Sequence, residues 1–69
     1  MIDVSKIWLT DSAVWIETAE GTMAAEQFAD YPKLRDATPS EREDYTRSPY
    51  GLHWEKLDED LCFEGFLKH

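Results

Sequence analysis

The chain is short and strongly acidic: its 69 residues carry 15 acidic and 7 basic side chains, which gives a formal net charge of -8. A chain of this length buries only about 60% of its unfolded surface, which excludes a second domain and an enclosed substrate cavity. The hydrophobic content of 42% is that of a folded chain rather than a disordered acidic tail. We therefore expect one domain over residues 1–69.

The cysteine content and the first residues predict a cytoplasmic protein. Cys62 is the single cysteine, so neither an internal disulfide nor a zinc site built from several thiolates can form. The chain starts without the basic run and apolar stretch of a signal peptide, and no segment approaches the roughly 20 apolar residues that span a bilayer. The distributed acidic charge repels polyanions, and we expect no direct contact with nucleic acid or membrane.

Three runs of strand-forming residues, at 4–10, 13–18 and 22–27, predict an antiparallel β-meander. A two-residue loop at Asp11-Ser12 would pair Trp8 with Trp15 in the first hairpin. A two-residue turn at Glu20-Gly21 would set Thr18 against Met23 in the second hairpin.

These registers divide the side chains of the meander between two faces. We predict a core face of Ile7, Leu9, Val14, Ile16, Met23 and Ala25. The opposite face would carry Trp8, Trp15, Ala24, Glu17 and Glu26.

The rest of the chain predicts short helices near 31–37 and 39–46, followed by a strand at 50–54 that extends the meander. Asp30 is a candidate cap of the first helix. Thr38, Pro39 and Glu41 form a capping-box pattern for the second helix, whose one apolar anchor is Tyr45. The expected fold class is α+β, with a small antiparallel meander plus a further strand packed against short helices.

Trp8 and Trp15 are the most informative residues, because a meander with one buried face has no structural need for two large aromatics on the other. Three explanations compete. The C-terminal segment could cover them, Trp54 could complete an aromatic cluster with them, or they could form an exposed patch that binds a partner or a second copy.

The segment 55–64 concentrates five acidic residues, and His53 lies just before it. Asp58 and Asp60 alternate as if they shared a strand face, and oxygen ligands with one imidazole suit a divalent cation. However, the segment has no recognised metal-loop spacing, and acidic runs are usually solvated surface, so we expect no metal and no cofactor. Cys62, between Leu61 and Phe63, is expected to be a buried inert thiol, and His53 a strand histidine bonded to a neighbour such as Asp58.

Several of these segments together resemble the small bacterial domain-of-unknown-function family 2442. The resemblance rests on the Trp8 and Trp15 meander, on 28–34, on 37–39, and most specifically on 51–54 with 57–60 and the tail 63–67. It implies a small α+β domain without known enzymatic activity, whose gene often lies beside another small gene in what looks like a toxin–antitoxin arrangement.

The sequence therefore favours a non-enzymatic protein-interaction module, antitoxin-like in the sense that the resemblance implies, with a basic partner protein encoded nearby. The expected interaction surface consists of Trp8, Trp15, Trp54, Asp58, Glu59 and Asp60. Two alternatives stay open, namely a small metal-dependent or acid–base enzyme that uses His53, Asp58 and Asp60, and a homodimer that buries the two tryptophans between its subunits.

Overall fold

The structure is a computed structural model, and it describes residues 2–68. It is an α+β fold with two three-stranded antiparallel sheets and short helices, so the predicted fold class is confirmed. The first sheet contains β1 (Val4–Leu9), β2 (Ala13–Thr18) and β3 (Met23–Gln27). A 3-10 helix (Phe28–Asp30), α1 (Pro32–Arg35) and α2 (Pro39–Glu43) follow; then come β4 (Thr46–Arg47), β5 (Gly51–Trp54), β6 (Glu59–Cys62) and α3 (Phe63–Phe66).

The first hairpin has the predicted register. Trp8 lies opposite Trp15, Ile7 opposite Ile16 and Leu9 opposite Val14. The loop has two residues, as expected, and the Thr10 amide donates to the Ala13 carbonyl across its base (2.9 Å). A β-bulge between Val4 and Lys6 shifts the start of β1 and places Val4 in the core at 4% exposure.

The predicted register of the second hairpin is wrong by one residue. The loop has three residues, 19–21, because the Thr18 amide donates to the Thr22 carbonyl (2.8 Å). Gly21 takes a φ of +93°, the left-handed conformation that closes a three-residue loop with a bulge. The extra loop residue sets Met23 against Glu17 and Ala24 against Ile16.

This shift exchanges the two faces of β3, because side chains alternate along a strand. Met23 and Ala25 leave the predicted core face, and Met23 is 59% exposed. Ala24 and Glu26 take their place on the core side. The carboxyl group of Glu26 is buried there and accepts a hydrogen bond from the Tyr31 hydroxyl.

The strand at 50–54 does not extend the meander. It is β5, the central strand of a second sheet with the order β4-β5-β6. The sequence does not predict β4 or β6 as pairing strands, since β4 has two residues and β6 begins within the acidic run 58–60. At Gly51 the backbone of β6 comes so close that a Cβ atom would lie 2.2 Å from the Leu61 carbonyl oxygen.

The two middle helices are shorter than predicted. The capping box of α2 is confirmed in both directions: Thr38 Oγ1 accepts from the Glu41 amide (3.1 Å), and Glu41 Oε1 accepts from the Thr38 amide (2.8 Å). Asp30 does not cap α1, whose N-terminal cap is Tyr31 without a side-chain hydrogen bond.

Arg42, which the sequence analysis did not single out, holds α2 against the rest of the fold. Its guanidinium donates to the carbonyls of Leu34 (2.8 Å), Arg35 (2.9 Å) and Asp11 (3.3 Å), and lies over the Phe28 ring, 4.4 Å from its centroid. The predicted anchor Tyr45 also contributes, because its ring packs on Trp54 with centroids 5.8 Å apart.

One hydrophobic core joins the two sheets and the helices. Both sheets contribute to it, and Phe28, Leu34, Phe63 and Phe66 add side chains from the helical segments. Its buried members are Val4, Val14, Ile16, Phe28, Leu34, Leu52, Trp54, Leu61, Phe63 and Phe66. Within residues 2–68, no helix has the length and apolar character needed to cross a membrane.

Candidate interaction surface

The outer face of the first sheet carries an aromatic patch that we call the tryptophan face, formed by Trp8, Trp15 and Met23. Trp8 and Trp15 are cross-strand neighbours on β1 and β2. Their rings stack with centroids 5.9 Å apart and planes 9° apart. Met23 lies on this face because the second loop has three residues. The register predicted from the sequence places Met23 on the core face instead.

The core lies on the other side of the first sheet. Neither Trp8 nor Trp15 belongs to the core cluster or to the partly buried side chains packed against it. Both rings are half-buried, and Met23 is exposed. Up to Lys68, the last residue that the structure describes, the C-terminal segment contributes Phe63 and Phe66 to the core and not to this face. Of the three explanations for the tryptophans, the described residues thus favour a surface patch, in which the two indoles are half-buried and Met23 is exposed.

Trp54 does not belong to this surface, which corrects the prediction. It is fully buried in β5, where its indole Nε1–H donates to the Arg42 carbonyl (2.8 Å). The reason is topological: as the central strand of the second sheet, β5 turns Leu52 and Trp54 into the core. The alternation of side chains along a strand places Leu52 and Trp54 on one face, but the sequence does not determine on which side of the molecule that face lies.

The three acidic residues of the predicted surface point in different directions. Asp58 lies in the turn between β5 and β6 with a φ of 51°, so it does not share a strand face with Asp60. Lys33 Nζ donates to the Asp58 carbonyl (2.9 Å) and lies 3.9 Å from its carboxylate. Glu59 is half-buried opposite Trp54, and Asp60 is exposed opposite His53.

His53 bonds to Asp60 rather than to Asp58, with Nδ1 and Oδ1 2.6 Å apart. Cys62 is exposed and not buried as predicted, because it alternates with the core residues Leu61 and Phe63. A shallow groove of about 130 Å³ brings His53, Asp60 and Cys62 together with the exposed Tyr50. Among residues 2–68, no three His, Cys, Asp or Glu side chains are grouped to hold a metal ion.

A second surface feature lies at the end of β1. A cleft of about 340 Å³ separates the first hairpin from α2, and it is lined by Leu9, Thr10, Asp11, Pro39, Arg42 and Glu43. Asp11 and Glu43 are exposed acids on opposite walls. Arg42 directs its guanidinium to backbone carbonyls and the Phe28 ring. The sequence gives no signal for this cleft, because its walls are distant in the chain.

The chain is thus a small acidic α+β protein with an aromatic sheet face outside its core. It belongs to the family described as "Protein of unknown function (DUF2442)", whose model matches residues 4–69. The suspected family is thereby confirmed. No curated protein and no solved structure matches the chain.

Proposed function

We propose that this protein is a non-enzymatic interaction module that binds a basic partner protein through the tryptophan face. The stacked Trp8 and Trp15 rings outside the core carry the proposal. Tryptophans are the residues most enriched among side chains that dominate binding energy at protein interfaces. The pair also stabilises the hairpin, and because both indoles lie outside the core their outer surfaces are apolar area that a partner could bury.

The charge of the chain supports a basic partner. A formal net charge of -8 in 69 residues creates a field that attracts cationic proteins and speeds their encounter. On the tryptophan face itself, Lys6 Nζ lies 3.9 Å from Glu17 Oε1 on the neighbouring strand. The positive charge of Lys6 is therefore compensated by a negative charge. A basic partner would therefore gain long-range attraction from the whole chain and apolar burial at the tryptophan face.

The finer role that we propose is antitoxin-like, namely neutralisation of a basic protein encoded nearby, in the cytoplasm. This part rests on the gene arrangement that the family resemblance implies. A chain with a single cysteine suits a reducing compartment, where its exposed thiol stays free.

A native pull-down of the tagged protein from its host cells at low salt tests the proposal. We expect one basic protein to be recovered in stoichiometric amount, and to be lost with Trp8→Ala and with Trp15→Ala. Tyr50→Ala is the matched control, because Tyr50 is a 71% exposed aromatic in the loop between β4 and β5, and it should leave recovery unchanged. Circular dichroism of each variant confirms that it is folded.

Other outcomes would contradict the proposal. Recovery of the chain only with itself would replace the partner with a second copy, which mass measurement at high concentration would show. Partner recovery that is equally strong with both alanine variants would remove the tryptophan face from the interaction.

The His53–Asp60 pair favours a second candidate function, an acid–base reaction on the outer face of the second sheet. A carboxylate that holds Nδ1 leaves Nε2 as the nitrogen available to a substrate. Melting curves with and without divalent metals test its metal-dependent form. A rise in melting temperature that His53→Ala abolishes would support that form, whereas no shift would count against it.

A further inference from the structure

The hydrogen-bond pattern of β1 defines one edge of the first sheet. In an antiparallel pair, successive residues direct their N–H and C=O groups alternately toward and away from the partner strand. The Thr10 amide bonds to the Ala13 carbonyl (2.9 Å), so Trp8 also faces β2, and Ile7 and Leu9 face away from it. Because β1 is an edge strand, the backbone groups of Ile7 and Leu9 point outward from the sheet.

Different features limit this edge at its two ends. At its start, Arg47 donates a hydrogen bond to the Val4 carbonyl, and the bulge distorts the strand. At its end, the edge runs into the cleft between the first hairpin and α2. The stretch from Lys6 to Leu9 between them is regular strand paired to β2 without a bulge.

The cleft at the end of β1 suits a cationic side chain. Asp11 and Glu43 are exposed on its two walls, while the guanidinium of Arg42 is held by three carbonyls and the Phe28 ring. Another acid, Asp3, is exposed just before β1. A strand laid along β1 would therefore meet Asp11 and Glu43 at the loop end and Trp8 beside its middle. Asp3 and Arg47 both lie at the start of β1.

We propose that the partner binds by adding an extended basic segment as a fourth strand to the β1 edge of the first sheet. The inference rests on the proposed function and specifies its mode. Main-chain hydrogen bonds to Ile7 and Leu9 supply affinity, as in other strand additions, and side chains of the segment supply specificity. One of these packs beside Trp8, and a Lys or Arg at the end of the segment enters the Asp11–Glu43 cleft.

A second copy of this chain is a poorer occupant of the same edge. Two copies would each carry a net charge of -8 and repel each other, whereas the Asp11–Glu43 cleft favours a cationic side chain. Natural edge strands use charge in this way to avoid pairing with themselves.

The probe is a blocked synthetic peptide of about eight residues with Lys at both ends and Val and Thr between them, long enough to span β1. It is titrated into the full chain at low salt. The control peptide has the same sequence with its internal amides N-methylated, which removes the N–H donors but keeps the charge. We expect the control peptide to bind about tenfold more weakly or worse.

Amide hydrogen exchange measured by NMR gives a second readout. The peptide should slow exchange at Ile7 and Leu9, whose amides face away from β2. Ala25 is the internal reference, because it faces away from β2 at the opposite edge of the sheet. Protection at Ala25 instead of Ile7 and Leu9 would place the peptide on the wrong strand and overturn the proposal.

Charge variants test the cleft. Asp11→Asn combined with Glu43→Gln should weaken peptide binding by about threefold to tenfold at low salt. Two control substitutions of equal charge change, Glu20→Gln and Glu64→Gln, lie in the second loop and in α3, and should weaken it far less.

The outcomes separate this inference from the proposed function. If N-methylation has no effect, or the peptide does not bind at all, strand addition is wrong. The role of the tryptophan face is then tested separately, by the pull-down of the natural partner with the Trp8→Ala and Trp15→Ala variants of this protein. If both peptides bind equally but Trp8→Ala abolishes binding, the face binds the partner without adding a strand.

Discussion

Arg42 shows how a single charged residue can organise a small fold. Its guanidinium donates to the last carbonyls of α1 and to a carbonyl of the first hairpin loop, and it lies over the Phe28 ring. The Arg42 carbonyl accepts a hydrogen bond from Trp54. Planar guanidinium geometry serves these acceptors simultaneously, which a lysine cannot do. Because α2 has no buried residue, it lacks apolar contacts with the core, and the contacts of Arg42 hold the helix in place instead.

We expect Arg42→Ala to lower the free energy of unfolding by about 2–4 kcal/mol, through the lost charge-assisted hydrogen bonds and the cation–π contact. Arg42→Lys should recover less than half of this loss. Urea unfolding followed by far-UV circular dichroism measures both. Arg35→Ala is the control, since Arg35 pairs with its exposed neighbour Asp36 on the surface, and it should barely move the midpoint. Equal effects of Arg42→Ala and Arg35→Ala would contradict the anchoring role.

Glu26 is the acidic residue that the register shift takes into the core, and Tyr31 supplies a hydrogen bond to it. Tyr31→Phe removes that donor while it keeps the ring, so we expect a loss of about 1–3 kcal/mol in thermal or urea unfolding. Tyr45→Phe, where the ring rather than the hydroxyl contacts Trp54, should cost much less. A neutral Tyr31→Phe would mean that this hydrogen bond does not stabilise the fold.

At the scale of elements, the two hairpins of the first sheet show what sequence can and cannot predict. The loop at Asp11-Ser12 has the expected length, and its register follows from that length alone. At the second loop, Gly21 satisfies either a two-residue turn or a three-residue loop with a bulge, so its presence does not decide the register. The consequence is large, because one residue of shift moved Met23 outward and Glu26 inward.

The second sheet was the larger omission. Strands of two and four residues carry too little alternation to predict pairing. A strand at 50–54 beside the meander would bring Trp54 to the surface, whereas the second sheet turns it into the core. The capping box at Thr38 was predictable because it is a local pattern of three residues. Local sequence patterns thus predict the start of α2 and the first hairpin turn. Which tryptophans lie outside the core depends on long-range strand pairing, which these patterns do not contain.

The second sheet requires a glycine at position 51, because the backbone of β6 lies too close for a side chain there. Gly51→Ala would place a methyl group 2.2 Å from the Leu61 carbonyl oxygen and 2.8 Å from the Cys62 Cα, and both are backbone atoms of β6. We expect a loss of about 2–3 kcal/mol, or more, with loss of β5–β6 amide protection in hydrogen exchange. Gly65→Ala is the matched control, because its nearest neighbour is the Cys62 Sγ at 3.4 Å and alanine favours a helix. Unchanged stability of Gly51→Ala would contradict this β5–β6 packing.

At the scale of the whole molecule, the same charge should act in opposite directions on folding and on binding. The net charge of -8 produces self-repulsion in the compact state, which added salt screens. We therefore expect NaCl to raise the melting temperature of the free protein and to slow its association with a basic partner. Thermal melts and stopped-flow mixing over a salt series measure the two effects. An association rate that does not change with salt concentration would contradict the claim that charge attracts the partner.

The stacking of Trp8 on Trp15 also gives the molecule a built-in optical reporter. Two indoles 5.9 Å apart couple their electronic transitions, so their exciton bands should appear in the far-ultraviolet circular dichroism spectrum. Trp54, enclosed in the core with Tyr45, should dominate the response of intrinsic fluorescence to unfolding. A ligand that displaces or covers the outer pair would change the exciton signal while the fluorescence of the core stayed constant. Binding and folding could then be followed separately in one unlabelled chain.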